Sequence, residues 1–251
     1  MSVVTLLTDF GTQDSYVAEV KAVLLGVPKV QLVDLTHEIP PYDIEAGAFQ
    51  LWRAYRHFPP GTWHLCVVDP GVGSERRPLY VKTKNHHFVG PDNGLLSWAV
   101  RDVETQEKTA GKYFQIPSPK KMLTTFHGRD LFAPFIRDRL KGKSPKITSV
   151  LTISGGSFPL EEKRGDRRVG HVLYTDHYGN LVTTLSASEG AAFAEINHRQ
   201  VFTAPSYSAI PEGSVALVAG SHGLWELAAR EDSAAKNLRA KKGDVVTLTL
   251  T

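Results

Sequence analysis

The sequence predicts an α/β domain followed by a smaller β-rich domain, and three observations carry that reading. Through the first 153 residues, short β-branched apolar runs alternate with apolar residues at helical spacing, the pattern of a largely parallel central sheet joined by helices. Around Ser154-Gly155-Gly156-Ser157 and the charged residues that follow, the alternation stops. Beyond that point short strand-like runs dominate, separated by turn residues. The expected boundaries are 1–157 for the first domain, 158–167 for a linker and 168–251 for the second.

Residues 3–7 form a continuous apolar run, Val17, Val20, Val23 and Leu24 recur at helical spacing within 15–25, and 30–35 is apolar again, which makes a βαβ unit. Asp43 stands where an N-cap would, opening a helix that Pro59-Pro60-Gly61 ends. Residues 63–68 read as a buried strand running into the turn Asp69-Pro70-Gly71-Val72-Gly73. Strands at 79–83 and 87–89, the turn Pro91-Asp92-Asn93-Gly94, and helices near 95–103 and 129–140 complete the first domain. In the second, strands are expected at 170–174, 181–185, 200–203, 215–219 and 245–250, with a helix at 224–230.

Composition narrows the classes of function. With 251 residues, 41% hydrophobic and 22% charged, the chain can bury a sizeable core. A formal charge of +3, with basic pairs scattered at Lys120-Lys121, Arg167-Arg168 and Lys241-Lys242, gives no reason to expect nucleic acid. No apolar run approaches the length that spans a bilayer, and the N-terminus lacks the basic and apolar regions of a signal peptide. The expectation is a soluble, cytoplasmic protein without a membrane partner. Cys66 is the single cysteine, so disulfide and cysteine-zinc chemistry are excluded within one chain.

Several loops carry groups suited to chemistry. Asp9, directly after the first strand, can accept hydrogen bonds from a ribose diol or can cap the turn. Asp69-Pro70-Gly71-Val72-Gly73-Ser74-Glu75-Arg76-Arg77 offers a carboxylate, two cations and a backbone that a ligand can approach closely, or is a tight surface turn. It lacks the ending of a P-loop. His127 precedes a helix, where the dipole favours the neutral imidazole. Asp176-His177-Tyr178-Gly179-Asn180 has hairpin-turn chemistry, and Ser221 can cap a helix. His86 and His87 would face opposite sides of a strand, and no histidine spacing calls for a metal.

Taken together, the segments are more specific. Thr8-Asp9-Phe10-Gly11 with Tyr16, Val33-Asp34-Leu35-Thr36-His37 leading to Ile39-Pro40-Pro41-Tyr42-Asp43, Val67-Val68-Asp69-Pro70-Gly71-Val72-Gly73, Gly90-Pro91-Asp92-Asn93-Gly94, Phe126-His127-Gly128-Arg129-Asp130, Asp176-His177-Tyr178-Gly179-Asn180-Leu181 and Ser221-His222-Gly223 occur in this order across essentially the whole chain. The sequence resembles the S-adenosylmethionine hydroxide adenosyltransferases, the adenosine-forming S-adenosylmethionine hydrolases related to fluorinating and chlorinating enzymes.

The resemblance implies an N-terminal α/β domain, a C-terminal β-barrel-like domain, and a homotrimer with sites at subunit interfaces. It also implies attack of water on C5′ of S-adenosylmethionine, giving adenosine and L-methionine, without a cofactor or metal. Asp69, Arg76 and His127 match the family's catalytic set. Asp9 matches the ribose-diol carboxylate and Tyr42 an aromatic on the ribose and methionine side, with Tyr16 also matched to the substrate site. Asp176 and Ser221 match groups holding the methionine amino acid, and Asn180 and Tyr207 match residues around adenine. The alternatives are a halide-dependent adenosyltransferase and a non-catalytic protein that binds S-adenosylmethionine or adenosine. The presence of all three catalytic residues and the absence of an insertion across 82–90 favour water over halide. His222, where halogenating relatives carry an arginine, is a departure.

Overall fold

The computed structural model describes residues 1–118, 125–158, 161–187 and 190–250, and the chain divides into two compact units, Met1–Phe158 and Pro159–Thr251. Lys120 and Lys121 therefore lie outside the described residues. In the first unit, β1 (Ser2–Thr8), α1 (Tyr16–Leu25), β2 (Val30–Thr36), α2 (Ile44–Ala54) and β3 (Thr62–Val67) run in alternation. They are followed by β4 (Pro78–Lys82), β5 (His86–Pro91), α3 (Ser97–Glu107), β6 (Lys112–Gln115), α4 (Ala133–Leu140) and β7 (Thr148–Val150).

The sheet order is β2-β1-β3-β5-β4-β6-β7. The pairs β2–β1, β1–β3 and β3–β5 are parallel, whereas β5–β4, β4–β6 and β6–β7 are antiparallel. The sheet is thus mixed, which corrects the expectation of a largely parallel one. The reason is local: only residues 83–85 join β4 to β5, a connection too short for the crossover that a parallel neighbour requires.

Strand β1 is buried on both faces along most of its length, as a central parallel strand must be. Val4 and Leu6 pack with Val20 and Leu24 of α1 and with Ile136 of α4. Helices α2 and α3 pack against each other, and Gly47 of α2 sits so close to the segment leading into α3 that a Cβ there would lie 2.7 Å from Leu95 Cδ1. Helix α2 begins where Asp43 accepts a hydrogen bond from the Ala46 N–H at 2.9 Å, the expected cap. Strand β2 lies on one side of β1 and β3 on the other, so the winding reverses between β1 and β3. In such sheets the crevice beyond the carboxyl ends of those two strands receives ligands.

The second unit contains β8 (Glu162–Arg164), β9 (Arg167–Thr175), β10 (Leu181–Ser186), β11 (Ala191–Ile196), β12 (Arg199–Phe202), β13 (Val215–Ala219), β14 (Leu224–Ala229), α5 (Ala234–Leu238) and β15 (Val245–Leu250). The order β12-β11-β15-β9-β10-β14-β13 is antiparallel throughout, with β8 paired to β9. Thr203 bridges Leu217, and the Ala204 N–H donates to the Leu217 carbonyl at 2.9 Å, so the two ends meet in a nearly closed barrel. Val172, Leu181, Leu217, Trp225, Leu227, Val246 and Leu248 fill it. Strand β8 falls within the stretch read as a linker, of which 159–160 lie outside the described residues.

One local expectation is overturned. Leu224-Trp225-Glu226-Leu227-Ala228-Ala229 is a strand, not a helix. Its Leu- and Ala-rich composition favours helix, but pairing on both edges and burial on both faces override propensity. Among the described residues, no helix is long and apolar enough to cross a membrane.

Candidate active site

Three of the motif loops meet at the carboxyl ends of the parallel strands. Thr8 of β1 is in register with Val67 of β3, so Asp9 and Asp69 leave adjacent strand ends on the two sides of the winding reversal. Asn93, just past β5, donates from Nδ2 to the Val68 carbonyl at 2.9 Å and fixes the backbone immediately before Asp69. The π-helical turn Gly128–Phe132 opens with His127 at its N-terminus.

Arg76 joins Asp69 to His127. Its Nε donates to Asp69 Oδ1 at 2.8 Å, its Nη2 donates to Asp69 Oδ2, and Nη2 lies 2.6 Å from His127 Nδ1. The Asp69 and Arg76 side chains are 5% and 9% exposed, so solvent screens this two-pronged pair little. A guanidinium has only donors, so Nδ1 must be the acceptor and the ring proton of neutral His127 resides on Nε2. Burial and then the Arg76 charge hold the imidazole below its ordinary pKa, against the opposing pull of Asp69 and Asp130. Arg77 serves elsewhere: its Nε donates to Asp92 Oδ2 at 2.8 Å, and Asp92 Oδ1 accepts the Ser154 N–H at 2.6 Å.

A cavity of about 320 Å³ adjoins this array, lined by Asp9, Tyr42, Asp69, His127 and an aromatic wall. The wall consists of Phe10, Tyr16 and Phe126, whose ring centroids lie 5.4–6.1 Å apart in edge-to-face arrangements. Arg76 is not among the lining residues and stands behind Asp69 and His127. Asp9 Oδ2 accepts the Tyr42 N–H at 2.9 Å, and Tyr42 holds φ +68° with its ring largely exposed. Burial pushes the Asp9 carboxyl above its usual pKa, the Tyr42 N–H opposes this, and the Asp69 charge adds a smaller upward push.

The family models fit this arrangement. The SAM hydroxide adenosyltransferase N-terminal domain matches residues 4–148, and the C-terminal domain of the same family matches 170–247. The chain belongs to the SAM hydroxide adenosyltransferase family. An (R)-S-adenosyl-L-methionine hydrolase from Thermus thermophilus is 37% identical over 99% of this chain and 100% of its own length. Another of that name, from Salinispora arenicola, is 31% identical over 98% of this chain and 97% of its own. The crystal structure of an uncharacterized conserved protein from Thermotoga maritima is similar with a TM-score of 0.85 and 27% identity, covering 98% of this chain and 99% of that one.

In the second unit the matched residues lie in three turns. Asp176 Oδ1 accepts the Tyr178 and Asn180 N–H groups at 2.9 and 2.8 Å, and Oδ2 accepts Asn180 Nδ2 at 3.0 Å, so the carboxylate shapes its own hairpin turn. Ser221 is exposed in the β13–β14 turn, and Tyr207 is half-exposed in the short turn Tyr207–Ala209 before β13. Sequence reasoning assigned no role to Phe10, Phe126, Val72 or Pro41 as cavity lining, nor to Asn93 as a brace. Phe10 and Phe126 sit inside motifs that were already visible beside Asp9 and His127. Among the described residues, no group of three or more His, Cys, Asp or Glu is placed to hold a metal ion.

Proposed function

We propose that the protein hydrolyses S-adenosylmethionine, water attacking C5′ to release adenosine and L-methionine. The observation that carries this is the Asp69–Arg76–His127 array beside a cavity at the winding reversal of the sheet, in a chain of this family. A sulfonium is already a good leaving group, so the remaining difficulty is to aim and activate water. As the water oxygen bonds to C5′, the C5′–S bond breaks, sulfur keeps the electron pair as the methionine thioether, and a proton must leave.

Asp69 is the acceptor we assign to that proton. His127 has its Nδ1 lone pair engaged by Arg76 and its other nitrogen protonated, whereas each Asp69 oxygen has a lone pair beyond its bond to Arg76. Arg76 is the positioning residue of the set, and His127 Nε2–H is a donor. General-base help of this kind is typically worth ~10²–10⁴-fold. Asp9 takes the ribose diol, and Tyr42 and Tyr16 line the ribose and methionine side. In the second unit, Tyr207 and Asn180 meet adenine, and Ser221 and Asp176 meet the methionine amino acid. These second-unit roles rest on the family resemblance.

The reaction as written needs neither metal nor cofactor. We further propose a cytoplasmic homotrimer with sites at subunit interfaces, supported by the resemblance and by the division of the matched residues between two units. Incubation with S-adenosylmethionine in chloride or fluoride buffer, followed by chromatography, tests the reading. The two hydrolase relatives carry an (R) descriptor in their names, so each sulfonium epimer is assayed separately. Adenosine and methionine are expected; a halogenated deoxyadenosine, or binding without turnover, overturns the proposal.

A further inference from the structure

Glu226 is a charged residue in a strand otherwise made of Leu, Trp and Ala, and every residue of β14 is buried. Trp225 and Leu227 point into the barrel core. By strand alternation Glu226 and Ala228 occupy the opposite face, beside Val218 and Ala216 of β13, where Ile210 also packs. A carboxylate there is costly unless donors compensate it.

Two donors do so. Tyr207 Oη donates to Glu226 Oε2 at 2.6 Å, and His222 Nε2 lies 2.6 Å from Oε1. The Leu224 N–H donates to His222 Nδ1 at 3.2 Å, which puts the ring proton on Nε2 and makes His222 the donor to Glu226. Packing around this trio is tight. A Cβ on Gly220 would stand 2.5 Å from Glu226 Oε1 and 2.7 Å from the His222 ring, so the β13–β14 turn closes this way only with glycine. One carboxylate therefore ties the turn before β13, which carries Tyr207, to the turn after it, which carries Ser221 and His222.

We infer that Glu226 is a positioning residue for substrate recognition, setting the Tyr207 ring and the Ser221 turn in one arrangement so that the adenine end and the methionine end are fixed together. This rests on the roles proposed above for Tyr207 and Ser221. His222 then acts as the arm through which Glu226 reaches the Ser221 turn.

The test compares the full chain with Glu226→Leu, Glu226→Gln and Tyr207→Phe, measuring kcat and KM for S-adenosylmethionine, the adenosine dissociation constant by calorimetry, and folding by circular dichroism. Glu226→Leu and Tyr207→Phe are expected to raise KM and the adenosine dissociation constant about tenfold, the scale of one hydrogen bond to a charged group, with kcat within about twofold. Glu226→Gln should stay within about twofold of the parent on all three, because an amide can accept from His222 and donate to Tyr207 Oη. Unchanged KM and adenosine affinity in Glu226→Leu and Tyr207→Phe, or a loss confined to kcat, overturns the inference. If Glu226→Leu does not fold, the half-exposed Tyr207→Phe decides alone. A parent that releases no adenosine sinks the hydrolysis reading, and the adenosine affinities then decide this one. A parent that does not bind adenosine overturns both.

Discussion

Lowering the pH from 7 to 5 challenges a histidine that the fold keeps neutral. His64 in β3 has no exposed surface; its Nδ1 lies 2.8 Å from Thr5 Oγ1 and its Nε2 lies 3.2 Å from His86 Nδ1. Burial first, then the neighbouring His86 and His87, push its pKa down to about 3. Below ~6.5 the unfolded chain takes up a proton at this position and the folded chain does not, so stability is complete above that pH and falls as pH drops toward 3. At about 1.4 kcal/mol per pH unit over roughly 1.5 units, His64 removes about 2 kcal/mol at pH 5. Urea unfolding at pH 7 and pH 5 on the parent and on His64→Gln measures it, since glutamine can still bond to Thr5 and His86 while other titrating groups are common to both chains. The variant should lose about 2 kcal/mol less than the parent between the two pH values. Equal losses would refute the reasoning.

Asp69→Asn should lower kcat by ~10²–10⁴-fold and His127→Ala, which removes a donor, should lower it less, each with KM little changed, read in the adenosine-release assay. Asp9→Ala should instead raise KM. Because burial lifts the Asp9 carboxyl, the parent's KM should begin to rise at a higher pH than an ordinary aspartate would dictate as the solution is acidified, a slope that Asp9→Asn should flatten. Incubation with a chelator should leave turnover unchanged, and any loss restored by added metal would contradict the metal-free chemistry. Gly90→Ala should destabilise the first unit by about 3 kcal/mol in urea unfolding, since the new Cβ would lie 2.4 Å from the Cys66 carbonyl oxygen of the neighbouring strand.

The first unit was legible where burial and periodicity agree. Residues 3–7 and 63–67 are strands because both faces of a central sheet are apolar, whereas 30–35 is an edge strand whose Val and Leu residues are interrupted by Gln31 and Asp34, and Asp43 reads as a cap because its side chain has one local task. Strands β6 and β7 carry polar residues at the sheet edge, Lys112, Gln115, Thr148 and Ser149, and offered no such signal. The direction of β4 was legible, by contrast, in the short gap between the strands expected at 79–83 and 87–89, which leaves no room for a crossover and which the expectation of a largely parallel sheet did not use. Within the site, the motifs located Asp9, Asp69 and His127, and the structure brings them around one cavity. What no spacing discloses is the division of labour between Arg76 and Arg77, which diverge because consecutive residues leave the loop on opposite sides, one toward Asp69 and the other toward Asp92. Leu224–Ala229 misled for a different reason: a strand buried on both faces has lost the alternation that would mark it.

The meeting of β12 and β13 gives the second unit a seam. Every other neighbouring pair in the barrel shares a ladder, while these two edges touch through the bridge at Thr203 and Leu217 among the described residues. Local opening follows the line of fewest backbone hydrogen bonds, so amides flanking this seam exchange with solvent before those of β9 and β15. Tyr207 lies between the two strands in the chain, a few residues past the bridge. A ligand gripped by that tyrosine would therefore slow the exchange of the seam's amides more than that of the β9–β15 ladder.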